Sequence, residues 1–85
     1  MLKLAQVREA VNNAAVQLHI VGVAEAIDTD LLFDDLGFDS FDVIDMLLEV
    51  EAALEVRVDE AALQTVWTLG DFVEAVSAHA VPLPQ

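Results

Sequence analysis

One hydroxyl in this chain sits where chemistry could be done on it. Ser40 follows the run Asp35-Leu36-Gly37-Phe38-Asp39 and precedes Phe41, where a loop gives way to a long acidic helix. Gly37 permits a tight or left-handed backbone just before that helix. Asp39 is a good N-cap, which puts Ser40 at or near the first helical turn. A phosphate ester on Ser40 would face backbone N–H groups that lack intrahelical acceptors, and the positive end of the helix dipole. The chain has no cysteine, so any thiol chemistry must come from an attached group. Asp-Ser at a helix start is also common as plain capping. The specific signal is Leu-Gly-x-Asp-Ser followed by an acidic amphipathic helix in a small, acidic, cysteine-free chain.

Other constellations fail on spacing. Asp28-Thr29-Asp30 begins like a calcium loop, but Leu32 stands at the next ligand position and Phe33 at the required glycine. Ser40 with His19 or His79 lacks the G-x-S-x-G elbow of a serine hydrolase, and both histidines read as surface or capping residues. Asp34 and Asp35 read as a solvated loop near a helix start, and Trp67 as packing between the third and fourth helices. No zinc spacing, phosphate-cradling glycine loop or basic patch occurs, and no metal site is expected.

The elements that must position Ser40 are helical. Leu4, Val7, Val11, Ala14 or Ala15, and Leu18 recur at three- and four-residue steps, which predicts a first helix over residues 2 to about 19. A long connection runs from about Ile20 to Asp39. Val23, Ile27, Leu31, Leu32, Phe33 and Leu36 are expected to pin it to the body, with a possible turn over Ala24 to Ile27. A second helix is predicted over residues 40 to about 55. Asp59 can cap a short third helix reaching about Gln64. Thr68-Leu69-Gly70-Asp71 resembles a capping box opening a fourth helix to about His79, with Leu69, Phe72, Val73 and Val76 facing inward. The stretch from about residue 80 to 85, with Pro82 and Pro84, is expected to fray.

On a wheel of about 100° per residue, Val43, Met46, Leu47, Val50 and Leu54 form one apolar arc of the second helix, the natural core face. Phe41, Ile44 and Leu48 lie on roughly the opposite side. Asp42, Asp45 and Glu49 run beside them, with Glu51 and Glu55 on the other edge. Either the preceding loop covers the second apolar strip, or the strip is a docking surface whose acidic rim gives orientation. Its place next to Ser40 favours docking.

Composition bounds the partners. With 56% hydrophobic residues in 85, the chain is expected to form one small domain, residues 1–85, around a modest core. Sixteen acids against three bases (Lys3, Arg8, Arg57) give a formal net charge of −13. Nucleic-acid phosphates and anionic membranes would be repelled, and basic protein patches attracted. Self-repulsion should cost stability that salt partly restores. The start carries no signal-peptide apolar region and no apolar run is long enough to span a membrane, so a cytoplasmic protein is expected.

From residue 4 to about 79 the chain resembles acyl carrier proteins, most strongly from Leu32 to Leu54. That family's pattern around its serine is close to Asp-Leu-Gly-x-Asp-Ser-Leu, and here reads Asp35-Leu36-Gly37-Phe38-Asp39-Ser40-Phe41. The acidic residues Asp42, Asp45, Glu49 and Glu51 fit the family's docking helix, and Val58-Asp59-Glu60 and Thr68-Leu69-Gly70-Asp71 fit the starts of its last two helices. The resemblance implies an all-α four-helix bundle with a short third helix and a long loop between helices 1 and 2. It implies that Ser40, shaped by Gly37 and Asp39, carries 4′-phosphopantetheine installed from coenzyme A by a separate phosphopantetheinyl transferase. Acyl groups would ride on the arm as thioesters, sheltered or released at the long loop and helix junctions. The implied carrier is a monomer and no enzyme itself. Its partners would be acyltransferases, ligases or ketosynthases with basic docking patches, meeting Phe41, Asp42, Ile44, Asp45, Leu48 and Glu49.

Two departures stand out: Phe41 replaces the usual leucine, and Trp67 is unusual at its place. With the Ala- and Val-rich composition and short ends, they favour a discrete carrier of a dedicated pathway, polyketide or mixed polyketide–peptide and antibiotic in type, over housekeeping fatty-acid synthesis. An aminoacyl or peptidyl carrier has the same architecture. An acidic helical adaptor without cofactor, with Ser40 only a cap, is the rival class.

Overall fold

The computed structural model describes residues 3–20, 27 and 31–83. Among these residues, three α-helices are joined by two 3-10 helices and a two-residue strand pair. In chain order they are α1 (Leu4–Gln17), η1 (Asp34–Leu36), α2 (Ser40–Leu54), β1 (Val56–Arg57), η2 (Glu60–Thr65), α3 (Leu69–His79) and β2 (Val81–Pro82). With η2 as the short third helix, this is the expected all-α bundle. The expected turn before Ile27 and the anchor Val23 lie outside the described residues, but Ile27 itself is buried.

α1 packs on both α2 and α3, and η2 packs on α3. The core follows from the helical stripes. α1 buries Val7, Ala10, Val11, Ala14 and Ala15, small side chains that let its neighbours approach closely. α2 buries Met46, Leu47 and Val50, with Val43 and Leu54 half-buried against the same core. α3 buries Leu69, Phe72, Val73 and Val76, the four residues that its period marked. α1 begins at Leu4, which is exposed and contributes little to the core.

α2, η2 and α3 each begin on a carboxylate or hydroxyl cap. Asp39 Oδ1 accepts from the Asp42 N–H at 2.9 Å, and Asp42 Oδ2 returns the bond from the Asp39 N–H at 3.1 Å. Asp59 Oδ1 accepts from the Ala61 N–H at 2.9 Å and starts η2. Thr68 Oγ1 accepts from the Asp71 N–H at 3.0 Å, and Asp71 Oδ2 accepts from the N–H groups of Trp67 and Thr68 at 3.1 and 3.3 Å. Each pair satisfies donors that no helix can satisfy itself.

Two expectations about chain ends and loops are corrected. The tail does not simply fray: Val81 and Pro82 pair antiparallel with Arg57 and Val56, and the Leu83 N–H donates to the Glu55 carbonyl at 3.1 Å. Pro82 is tolerated because this ladder is only two residues wide and has free edges. In the long connection Phe33 is buried and Leu36 half-buried, but Leu31 and Leu32 are exposed. The anchor they were expected to share is supplied by Phe38.

α2 ends on Glu55 in the left-handed conformation (φ 56°, ψ 47°), with its N–H bonded to the Glu51 carbonyl. That backbone is normally left to glycine, and an L side chain there costs about 1–2 kcal/mol. Replacement by Glu55→Gly is expected to raise unfolding free energy by about 0.5–1 kcal/mol, read from urea denaturation midpoints. No gain would mean that the Glu55 side chain offsets its own strain.

Candidate functional site

The segment before Ser40 is folded on itself. Asp35 Oδ2 accepts from the Leu32 N–H at 3.1 Å and closes the turn that opens η1. Gly37 follows in the left-handed region (φ 79°, ψ 17°), its N–H bonded to the Asp34 carbonyl. A Cβ there would meet nothing within 4 Å, so the need for glycine is conformational and not steric. The reversal brings Phe38 back to Phe33. The Phe38 N–H donates to the Phe33 carbonyl at 2.9 Å, and the two buried rings lie with centroids 5.5 Å apart at 31°. Phe33 is held in turn from the other side of the site, its N–H donating to the Trp67 carbonyl at 2.9 Å.

Asp39 therefore leaves this clasp in an extended conformation (φ −105°, ψ −179°), and Ser40 is the first residue of α2. Ser40 is exposed. The cap takes the Asp42 N–H, and the Val43 N–H goes to the Asp39 carbonyl. The N–H groups of Ser40 and Phe41 remain without intrahelical acceptors, so a phosphate on Ser40 would meet those two and the helix dipole.

Ser40 lines a groove of about 370 Å³ together with Asp39, Phe33, Phe38, Val43 and Ile44 on one side and Leu63, Val66 and Trp67 on the other. No histidine lines it. His79 lines a second groove, with Arg57, Leu48 and Ile44, that does not include Ser40. Ser40 thus has no histidine beside it among the described residues of its own groove.

The second apolar strip of α2 divides unevenly. Phe41 is 76% and Leu48 57% exposed, so neither is covered by the described residues. Ile44 is half-buried and lines both grooves, forming the ridge between them. Asp45 and Glu49 are exposed. Asp42 and Glu51 are not free rim charges. Asp42 is half of the capping box, and the Glu51 carboxylate accepts from the Val58 N–H at 2.7 Å, tying α2 to the strand that follows.

Trp67 is the residue that sequence reasoning placed wrongly. It is 65% exposed, not packed between helices. Both of its backbone groups are engaged, with Asp71 and Phe33, and its indole is left beside the groove. Phe38 was overlooked, although an aromatic residue directly after a left-handed glycine is a recognisable turn-back signal.

The family model for the phosphopantetheine attachment site matches residues 8–76. The chain belongs to the acyl carrier protein family. An acyl carrier protein of Thermotoga maritima is 40% identical over 58 residues, covering 66% of this chain and 72% of that protein. One from Clostridium perfringens is 35% identical over 46 residues, covering 54% and 60% respectively. No solved structure matches the chain. The family's members are carriers and not catalysts, and their cofactor is 4′-phosphopantetheine. The residues here fit that group: an exposed hydroxyl on a helix N-terminus, opening onto an apolar groove. None of the helices among the described residues is long and apolar enough to cross a membrane.

The two acids at the start of the strip should separate in stability measurements. Asp42→Lys breaks the capping box and puts a cation at a helix N-terminus, and is expected to cost about 1 kcal/mol. Asp45→Lys touches no cap and is expected to change stability by less than about 0.5 kcal/mol. Urea unfolding of both variants checks the difference, and equal losses would remove the capping role assigned to Asp42.

Proposed function

We propose that this chain is an acyl carrier protein whose Ser40 hydroxyl bears 4′-phosphopantetheine. The observation that carries the reading is the exposed Ser40 at the first position of α2, on a groove, within the stretch matching the attachment-site family. When a phosphopantetheinyl transferase moves the arm, the Ser40 oxygen would give up its proton, bond to the phosphorus next to the pantetheine of coenzyme A and displace adenosine 3′,5′-bisphosphate, leaving a phosphodiester. The arm supplies a terminal thiol on which acyl groups are held as thioesters. Asp39 and Asp42 hold the first turn rigid, Gly37 and Phe38 fix where that turn begins, and the N–H groups of Ser40 and Phe41 favour the added negative charge.

Phe41, Ile44, Asp45, Leu48 and Glu49 form the partner face, with Asp42 contributing charge from within its cap. An exposed apolar strip gives contact area, and the carboxylates beside it steer basic patches of an acyltransferase, ligase or ketosynthase. The bulk of Phe41 where the family pattern has leucine, and the exposed Trp67, support a dedicated polyketide-type or mixed pathway over fatty-acid synthesis. The chain works as a single domain, as a monomer in the cytoplasm.

Incubation with coenzyme A and a broad-specificity phosphopantetheinyl transferase is expected to add the mass of one phosphopantetheine. Ser40→Ala is expected to keep its helical circular dichroism and gain nothing. A folded wild-type sample that gains no mass would move Ser40 to a capping role in an acidic adaptor. On the docking face, Asp45→Lys is expected to lower kcat/KM for loading about tenfold, the equivalent of roughly 1.4 kcal/mol, at unchanged stability. Equal rates would sink this use of the strip.

A further inference from the structure

The second groove lies further along α2. Ile44 and Leu48 line it, about 6 and 12 Å along the helix from Ser40. Leu47, Val58 and Val81 add apolar lining, and Leu48 and Val81 are left 57% and 56% exposed. The basic side chains after residue 19 are Arg57 and His79, and both line this groove. The backbone presents Arg57 there. β1 turns Val56 inward and Arg57 outward, as strand alternation requires. Arg57 stands opposite Val81 in the antiparallel ladder, so the two side chains share a face. Neither Arg57 nor His79 is in an ion pair among the described residues. The carboxylates of the groove are Glu51, Asp59 and Glu60. Glu51 and Asp59 each accept from a backbone N–H, those of Val58 and Ala61, and Glu60 is exposed in the first turn of η2. A guanidinium without an ion pair, in a chain with sixteen carboxylate side chains, is an unfilled pairing site.

Resting on the carrier reading, we infer that this groove is the far anchor of the partner face. It takes an acidic side chain, set beside an apolar one, from the phosphopantetheinyl transferase that acts on Ser40. Two observations choose this occupant. The groove is continuous with the apolar strip of α2, since Ile44 and Leu48 belong to both. The charge of Arg57 is opposite to that of Asp45 and Glu49 on that strip. A free anion is repelled by the net charge of −13 and by Glu60. A carboxylate on a protein whose basic patch already rests on Asp45 and Glu49 arrives instead at high effective concentration. The apolar neighbour covers Leu48 and Val81, while the carboxylate pairs with the fork of Arg57. The partner face thereby has a direction, acidic along the strip and cationic beyond its end. A partner turned end for end sets its basic patch on Arg57 and its acid on Asp45, and both contacts repel.

The sign of one substitution separates this contact from general steering. If acidity alone attracted the transferase, removing a positive charge would leave loading unchanged or quicken it. Loading is read as kcat/KM with coenzyme A and the broad-specificity phosphopantetheinyl transferase, by intact mass, with urea midpoints taken in parallel. Arg57→Glu is expected to lower kcat/KM about tenfold, the size of one lost charged pairing, chiefly through KM. Arg57→Gln is expected to lie between, and Arg57→Lys to keep most of the rate. Asn13→Glu adds an acid at an exposed position of α1 outside both grooves, and is expected to load as fast as wild type or faster. Should Arg57→Glu also lose stability, Arg57→Lys must still load faster than Arg57→Gln. An Arg57→Glu chain that loads at the wild-type rate or above it overturns the inference while the carrier reading stands. So does an equal slowing by Asn13→Glu, which makes the loss one of net charge. A wild-type chain that gains no mass overturns the carrier reading, and this inference with it.

Discussion

The clasp between Phe33 and Phe38 is the contact on which the site depends. A buried ring pair and one backbone hydrogen bond close a loop around a single left-handed glycine. That closure determines where the chain can begin α2. The capping residue Asp39 has no freedom to slide along the sequence, because Phe38 before it is buried and Asp42 after it is bonded back. Ser40 is thereby held at one place on the surface without making a strong contact of its own. A hydroxyl left open to solvent cannot be fixed by burial, and here its neighbours are buried instead. The same clasp reaches across the site, since Phe33 hangs on the Trp67 carbonyl and Leu32 forms an isolated bridge to Thr68. The start of α2 and the start of α3 are thus held as one unit.

The acidity of the chain divides into two kinds of work. Some carboxylates are consumed by the fold: Asp35, Asp39, Asp42, Glu51, Asp59 and Asp71 each accept from a backbone N–H. Most of these lie at helix starts, where both the unpaired donors and the dipole favour negative charge. Others, such as Asp45 and Glu49, are exposed on the face of α2 next to Phe41 and Leu48. A helix wheel treats all of these as equivalent rim charges. What separates them is whether a backbone donor lies within reach, and that depends on position relative to a helix end more than on the face occupied.

What could be read in advance was what is local and periodic. The stripes of α1, α2 and α3, the caps at Asp39, Asp59 and Thr68, and the exposed serine all follow from short-range spacing and hydrogen-bond chemistry. Phe38 was missed because its burial comes from a reversal at Gly37, and no period runs through a turn. Trp67 was misplaced because aromatic residues usually pack, and its exposure results from a connection whose backbone is held at both sides by Asp71 and Phe33. The pairing of Val81 and Pro82 with β1 joins residues far apart in sequence, and a proline argues against a strand by local rules. Leu31 and Leu32 were read as anchors on hydrophobicity alone, although the closing of the turn needs only the Leu32 backbone.

The wall of the Ser40 groove opposite α2 is made by η2 and the connection after it. η2 has Ala62 and Leu63 half-buried but no residue fully buried, and it is a 3-10 helix with the poorer hydrogen-bond geometry of that form. α2, by contrast, is seated on three fully packed side chains. Elements with few buried contacts open first and at the least expense. The groove is therefore bounded by one stiff side and one compliant side, like a jaw hinged on a fixed bar. Any change in the width of the groove would fall on that one short turn, with the packed helices left in register.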